Sequence, residues 1–294
     1  MPFVQQICSE QKIDLIFSLV TDELIPLSAA EQDLLMLGTR LLKSPVDALK
    51  KVINKGKLYE ELQLLGIPVP DFRIVRTSEG LKQAIYHLGY PERPVCFKPT
   101  VSDGSRGFHI LNNDMDRFRM LFNDKPNSAH ITKEELYRII EGNSELPETI
   151  VMEFLPFEEY SVDLLVNKGK VAVAVPRLRE ETVNGITTKS VIVREQDIID
   201  YAMKVVEKLQ LNGIIGVQIR RDCNRIPKIV EINPRIQGTI VHCTAAGINL
   251  PVLAVKQALG MTPDEAELNV RWGTRMTRYW EEVFYDDYGS SYAL

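Results

Sequence analysis

Four side chains in one stretch of the sequence could bind a metal ion and a phosphate: Gln218, Glu231, Asn233 and Arg235. They alternate with apolar residues along two predicted strands, and successive side chains of a strand point to opposite faces. All four therefore share one face of a predicted hairpin. Mg²⁺ prefers carboxylate and amide oxygens, and the planar guanidinium of arginine suits a phosphate or a carboxylate. A plain solvent-exposed strand face would show the same alternation, so both interpretations stay open at this point.

The register of this hairpin depends on its turn. A two-residue turn at residues 224–225 would place Gln218 opposite Glu231 and Gly216 opposite Asn233. The glycine at 216 would then leave space for a ligand to approach the polar face. The opposite face would be apolar and pack on the core; it consists of Ile215, Val217, Ile219, Val230 and Ile232.

Two other segments could bind a nucleotide. Lys98 lies on an apolar strand just before the glycine-containing loop 102–107, and backbone amides of such a loop can hold a phosphate beside an ammonium group. In the segment 153–160 a proline interrupts a strand between acidic residues, which leaves backbone groups free to pair with a purine. A plain surface turn and an exposed connection are the alternative interpretations of the two segments.

Taken in order, these segments make the chain similar to the ATP-grasp superfamily. The matching motifs are Asn54-Lys55 with Gly66-Ile-Pro-Val-Pro70, Lys98-Pro99 with Gly104-Ser-Arg-Gly107, Glu153 to Asp163, and Gln218 with Glu231-Ile-Asn-Pro-Arg235. Within the superfamily the chain most resembles the carbamoyl-phosphate-synthase-like branch of ATP-dependent ligases. The resemblance spans residues 10–260, and its most specific element is the Glu-Ile-Asn-Pro-Arg run with its upstream glutamine.

The resemblance implies a role for each matching residue, with ATP and Mg²⁺ (or Mn²⁺) as the cofactors. Lys98 and Arg235 match the catalytic positions that neutralise the transferred phosphoryl group. The nucleotide-binding positions are Lys55 and Lys98 for the phosphates, Ser102, Gly104, Ser105 and Gly107 for the mobile loop, Glu153, Phe154 and Leu155 for adenine, Glu159 (or Glu158) for ribose, and Gln218. The metal positions are Gln218, Glu231 and Asn233.

The reaction implied by the resemblance is carboxylate activation. ATP would phosphorylate a small-molecule carboxylate to an acyl phosphate, which an amine or ammonia then attacks. One alternative is phosphorylation of bicarbonate or carbamate, as in carbamoyl phosphate synthesis. A second alternative is an ATP-binding subunit of a split enzyme without catalysis of its own.

Hydrophobic periodicity predicts the elements that position these residues. Helices are predicted at 4–12, 23–36, 55–65, 114–122, 132–141, 195–209, 241–246 and 250–259, and strands at 14–20, 94–100, 149–155, 160–167, 171–179, 187–193, 214–221 and 228–235. This order indicates an α+β fold, and the resemblance specifies an ATP-grasp fold in which two α+β subdomains clamp ATP. The expected domains are a partial N-terminal α/β domain (1–50), a linker helix with the small lid subdomain (51–152), and a C-terminal subdomain with the metal site (153–294).

Composition excludes several classes of protein. The chain has 294 residues, 45% apolar and 26% charged, with a formal charge of −5, which argues against a nucleic-acid-binding protein. No apolar run is long enough for a membrane helix, and the charged N-terminus lacks a signal-peptide core. The four scattered cysteines show neither metal-site nor disulfide spacing, so a cytoplasmic location is expected.

The first fifty residues resemble the second half of a small α/β layer, because no strand with a glycine-rich turn opens it. The apolar strand 14–20 would then lie at an exposed sheet edge. We therefore expect a homodimer or a partner chain that covers this edge.

Overall fold

The structure is a computed structural model that describes residues 1–102, 104–112, 116–122, 129–183, 185–289 and 291–292. Residues 114 and 115 of the predicted helix 114–122 lie outside the described residues. The helices are α1 (Pro2–Gln11), α2 (Leu24–Ala29), α3 (Glu31–Met36), α4 (Val46–Ile53), α5 (Lys55–Leu64), α6 (Ser78–His87), α7 (Arg117–Phe122), α8 (Lys133–Ile140), α9 (Gln196–Lys208), α10 (Val241–Ala245) and α11 (Leu250–Ala258). None of the helices in these ranges combines the length and the apolar character needed to cross a membrane.

The N-terminal segment is less regular than its apolar pattern predicts. Strand β1 (Leu15–Ile16) is only two residues long and pairs in parallel with β2 (Arg40–Leu41). The predicted strand 14–20 is therefore wrong beyond Ile16, because the Ser18 hydroxyl bonds both the amide and the carbonyl of Val20 and turns the chain. The predicted helix 23–36 is split into α2 and α3, since Ala30 departs from helical dihedral angles.

A five-stranded sheet forms the next part of the molecule. Its strands in spatial order are β3 (Phe72–Thr77), β7 (Glu145–Glu153), β4 (Val95–Pro99), β5 (His109–Leu111) and β6 (His130–Ile131). All neighbours are antiparallel except β5 and β6. Side-chain caps at Thr77 and Thr132 begin α6 and α8, which pack on this sheet through apolar side chains.

A six-stranded antiparallel sheet forms the larger part. Its strands in spatial order are β12 (Pro227–Asn233), β11 (Gly213–Arg221), β8 (Glu159–Asn167), β9 (Lys170–Val183), β10 (Ile186–Ile192) and β13 (Arg275–Thr277). Strand β13 lies in the segment that the sequence left unassigned, followed by the short pair β14 (Phe284–Tyr285) and β15 (Ser291–Tyr292). Helix α9 covers one face of the sheet, and α10 and α11 cover the other.

The hairpin of β11 and β12 has the predicted pairs at its polar end but not the predicted turn. Gln218 lies opposite Glu231 and Gly216 opposite Asn233, as expected. A bulge after Gln218 then shifts the register by one residue, and five residues, 222–226, connect the strands. The two-residue turn is therefore wrong.

The bulge also changes the core face. Ile229, which pairs with Ile219, is fully buried, whereas Val230 is half-buried and is no part of the apolar core. The prediction of Val230 as a core residue is therefore wrong. One core cluster joins α5, the five-stranded sheet and the six-stranded sheet, so the two sheets share apolar contacts. The expected domain limits, 1–50, 51–152 and 153–294, stay a prediction.

Candidate functional site

A cleft of about 770 Å³ lies between the two sheets. It brings together twelve of the residues that the sequence predicts for the site. They are Lys55, Lys98, Ser102, Gly104, Ser105, Phe154, Leu155, Glu159, Gln218, Glu231, Asn233 and Arg235. Gly107 and Glu153 are outside the lining.

Two buried lysines face one carboxylate at the centre of the cleft. Lys55 is the first residue of α5, which begins there because the Asn54 side chain accepts from the amide of Lys57. Lys55 and Lys98 are only 5% and 6% exposed. Lys55 Nζ lies 3.7 Å from Glu231 Oε2 and donates to the carbonyl of Ser102 at 2.6 Å.

The environment of Lys98 disfavours its charge. Burial lowers the pKa of the Lys98 ammonium, while the charge of Glu231 acts in the opposite direction and that of Lys55 adds to the lowering. Lys98 Nζ donates to the carbonyl of Val230 at 3.2 Å. An anionic ligand between the two ammonium groups would therefore relieve an unfavourable arrangement of charge.

The predicted metal ligands lie side by side on the hairpin. Asn233 Nδ2 lies 3.4 Å from Glu231 Oε1, which leaves the amide oxygen of Asn233 available to a cation. Gln218 is the cross-strand neighbour of Glu231. Within the described residues, no group of three or more His, Cys, Asp or Glu could hold a metal. This donor set fits Mg²⁺ held by one carboxylate and amide oxygens, with phosphate oxygens completing the shell.

The loop 102–107 forms one wall of the cleft next to the turn between β9 and β10. A Cβ on Gly185 would lie 2.7 Å from the Ser105 hydroxyl, so the turn and the loop are in close contact. Gly107 has a φ of +69°, and a Cβ there would meet the ring of Pro99 at 2.8 Å. Gly107 therefore shapes the loop although it does not line the cleft.

The expected adenine end is formed by the connection between β7 and β8. Phe154 and Leu155 line the cleft, and the guanidinium of Arg220 lies 5.5 Å from the Phe154 ring centre. The Glu153 side chain instead accepts from Lys228 and from the amide of Asp71 outside the cleft. A role for Glu153 at the cleft would therefore have to use its backbone.

Of the two acidic residues considered for ribose, Glu159 lines the cleft. Its carboxylate is paired with Arg179 and lies 3.7 Å from Arg220 Nε. Glu158 is paired with Arg225 and does not belong to the lining. The position of Glu159 is compatible with the predicted contact to ribose.

Gln237, which the sequence did not single out, fills the space expected for a ligand above Gly216. A Cβ at Gly216 would lie 2.1 Å from Gln237 Nε2, so the prediction that Gly216 leaves room for a ligand is wrong. Gln237 Nε2 donates to Asp163 Oδ1 at 3.1 Å, and Arg177 Nε donates to Asp163 Oδ2 at 2.7 Å. The buried Asp163 thus orients Gln237, and its amide oxygen is free to meet a donor in the cleft.

The cleft is strongly basic although the whole chain carries a formal charge of −5. Within the described ranges, seven basic side chains line it against two acidic ones, Glu159 and Glu231. The basic residues are Lys55, Lys98, Arg106, Arg179, Arg220, Arg235 and Arg278. A concave site with this excess of positive charge attracts and binds polyanions.

Known proteins resemble this chain over much of its length. The family described as "ATP-grasp in the biosynthetic pathway with Ter operon" matches residues 145–280. Over 236 residues the chain is 25% identical to the carbamoyl phosphate synthase large chain of Methanothermobacter thermautotrophicus. That match covers 76% of this chain and 20% of the relative, so the chain spans about a fifth of the relative's length.

Solved structures show the same fold. A biotin carboxylase–β,γ-ATP complex from Campylobacter jejuni superposes with a TM-score of 0.69 at 17% identity, covering 92% of this chain and 60% of that one. An L-amino acid ligase from Bacillus licheniformis gives a TM-score of 0.61 at 18% identity, with 92% and 62% covered. The α+β ATP-grasp fold expected from the sequence is thereby confirmed. The chain is thus similar to the ATP-grasp superfamily, and within it to the carbamoyl-phosphate-synthase-like ligases.

Proposed function

We propose that the protein is an ATP- and Mg²⁺-dependent, ADP-forming ligase that activates a carboxylate as an acyl phosphate for attack by an amine or ammonia. One observation carries the proposal: two buried lysines line a basic cleft in an acidic chain, beside the carboxylate–amide pair of Glu231 and Asn233. This combination suits a triphosphate with a divalent cation. The proposed reaction needs no covalent nucleophile, because phosphoryl transfer depends on positioning and charge neutralisation.

Different residues of the cleft would bind different parts of the nucleotide. Phe154 and Leu155 would hold adenine, Glu159 the ribose, and the loop 102–107 would cover the phosphates. Lys55 and Lys98 would bind the phosphate oxygens and thereby satisfy their buried charges.

Glu231 and Asn233, with Gln218 beside them, would hold Mg²⁺. When bound, the cation offsets negative charge on the phosphates. Arg235 would orient the reacting carboxylate with its planar guanidinium.

The reaction is balanced in two steps. A carboxylate oxygen attacks the γ-phosphorus of ATP, the bond to the bridging oxygen breaks, and ADP leaves with its electron pair. The amine nitrogen then attacks the acyl carbon, inorganic phosphate leaves, and the nitrogen loses one proton. Lys98 and Arg235 would stabilise the charge that moves during the first step.

A screen of substrates tests the proposal. ADP formation is measured with the twenty amino acids, small carboxylates and bicarbonate, each with and without ammonium, and products are identified by mass spectrometry. Glu231→Gln keeps the size of the side chain, and we expect it to lower turnover by a factor of about 100 or more. ADP formation that stays near normal in a folded Glu231→Gln protein at saturating Mg²⁺ would refute the metal assignment.

The similarity to a carbamoyl phosphate synthase favours a second candidate, the phosphorylation of bicarbonate or carbamate. The same screen distinguishes the two, because bicarbonate alone would then stimulate ADP formation, and carbamoyl phosphate would accumulate once ammonium is also present. A homodimer or a partner chain next to the N-terminal segment is likewise part of the proposal. Light scattering over a wide concentration range and native pull-downs test it.

A further inference from the structure

Two arginines of the cleft have no carboxylate partner within the described part of the chain. Arg235 Nη1 donates to the carbonyl of Ile236 at 2.9 Å, and its Nε lies 3.4 Å from the Thr21 hydroxyl. Arg278 Nη2 lies 3.4 Å from the carbonyl of Gly238. Both guanidinium groups therefore keep donors available to an anion in the cleft.

The two arginines are anchored to one short loop. Their carbonyl partners, Ile236 and Gly238, are two residues apart in the segment that follows β12. A span of two residues is at most about 7 Å, since an extended chain advances roughly 3.3–3.6 Å per residue. Both guanidinium groups therefore border the same part of the cleft.

The strand order of the larger sheet fixes the position of Arg278. It directly follows β13, and its amide donates to the carbonyl of Thr188 in the neighbouring strand β10 at 2.8 Å. The other basic residues of these two strands are paired: Arg275 with Glu180 at 2.8 Å and Lys189 with Glu181 at 2.7 Å. Among the described residues, Arg278 is thus the basic side chain at this sheet edge that has no carboxylate partner.

Charge in the cleft exceeds what the nucleotide needs. Among the described residues, seven basic and two acidic side chains line the cleft, which leaves an excess of five positive charges. ATP with one Mg²⁺ carries a formal charge of about −2, so about three positive charges remain for the second substrate. A substrate with a single carboxylate would leave most of this charge uncompensated.

We propose that the carboxylate substrate carries a second anionic group, and that Arg278 is the specificity-determining residue that binds it. This inference rests on the proposed ligase function and deepens it. The reacting carboxylate faces Arg235 beside the metal ligands, and the second anion, a carboxylate or a phosphate, is held by Arg278. The substrate class is a dicarboxylate or a phosphorylated carboxylate with its two anions a few bonds apart.

Binding of matched acids tests the inference on the full chain. Thermal stabilisation is measured with Mg²⁺ and a non-hydrolysable ATP analogue, titrating butyrate against succinate, valerate against glutarate, 2-aminobutyrate against aspartate, and glycerate against 3-phosphoglycerate. We expect at least one dianion to bind about ten-fold more tightly than its matched monoanion, as a charge-assisted hydrogen bond permits. Arg278→Gln should remove this preference and leave nucleotide binding unchanged.

Two further variants control the test. Arg275 is in β13, three residues before Arg278, and does not line the cleft, so Arg275→Gln should keep the preference for the dianion. Arg278→Lys keeps the charge and should keep part of the preference, which separates loss of binding from misfolding.

Three results would overturn the inference: equal binding of monoanions and dianions, a preference that survives Arg278→Gln, or no binding of any acid by a protein that binds the nucleotide. A protein that the nucleotide fails to stabilise would instead refute the proposed function, and repeating the acid series without nucleotide keeps the two failures distinguishable.

Discussion

Replacing Asp163 by Asn removes one charge of a fully buried ion pair and keeps the size of the side chain. Asp163 and Arg177 are both 0% exposed, and Arg177 Nε donates to Asp163 Oδ2 at 2.7 Å. The two Nη atoms of Arg177 are buried and have no hydrogen-bond partner in the described ranges. An arginine cannot shed its proton at accessible pH, so the Asp163→Asn protein must keep an uncompensated cation in its core.

The contacts of Asp163 determine how much the Asp163→Asn change lowers the free energy of unfolding. Removing one partner of a buried pair costs about 3–5 kcal/mol in the free energy of unfolding. The single oxygen of the new amide can still accept from Arg177 Nε, which favours the lower end of this range of free energies. Gln237 Nε2 then faces the NH₂ group and loses its acceptor, which costs about 1 kcal/mol. For 294 residues the unfolding entropy corresponds to about 1.6 °C per kcal/mol, so the melting temperature should fall by about 5–8 °C.

Denaturant unfolding followed by circular dichroism, together with calorimetry, measures this change. Asp163→Leu combined with Arg177→Met removes both charges and fills the space with apolar atoms. We expect this double variant to be within about 1 kcal/mol of the wild type, so that the single changes are far from additive. If Asp163→Asn costs less than about 1 kcal/mol, solvent reaches the pair and the reasoning from complete burial is refuted.

Three further predictions concern the contact at Gly216, the buried charge of Lys98 and the exposure of the cysteines. Gly216→Ala should cost about 1–3 kcal/mol of stability because its Cβ collides with Gln237, whereas Gly238→Ala, with open space around it, should cost far less; denaturant unfolding of both variants measures the difference. Lys98→Met should raise stability by about 1 kcal/mol at pH 7 and abolish binding of ATP by calorimetric titration. Since burial lowers the folded pKa of Lys98, the wild type should regain stability as the pH rises through that pKa toward 10.5, and the variant should lack this gain. A maleimide at pH 8 should label only the exposed Cys223, because burial raises the pKa of the Cys96 thiol to about 12 and Cys8 and Cys243 are also buried.

Local signals predicted much of the fold. The apolar patterns of the chain predicted the buried strand at Lys98 and the amphipathic helix α9, and the structure contains both. The turn between β11 and β12 was missed because a two-residue turn was assumed where Asp222 builds a wider one. Its carboxylate accepts from the amides of Asn224 and Ile226 at 2.8 and 2.9 Å. An aspartate before a polar turn is a recognisable signal for such a structure.

Residues that depend on distant contacts could not be predicted from local patterns. Gln237 is oriented by Asp163, which is 74 residues earlier in the chain. Arg278 enters the cleft only because β13 returns to the edge of β10. A short strand in an aromatic, charged segment has no periodicity that identifies its partner, since pairing at a sheet edge is decided by the rest of the sheet.

The bulge in the hairpin connects the two halves of the candidate site. Because the bulge gives β12 one residue more than β11, Val230 has no opposite partner in the register. Its carbonyl instead accepts from Lys98 Nζ at 3.2 Å and from the Tyr59 hydroxyl at 3.1 Å. Lys98 belongs to the five-stranded sheet, and Glu231 is the next residue of β12 in the other sheet. The Val230 carbonyl therefore links the two sheets by a hydrogen bond. This bond fixes Lys98, the expected phosphate-binding residue, close to Glu231, the expected metal ligand.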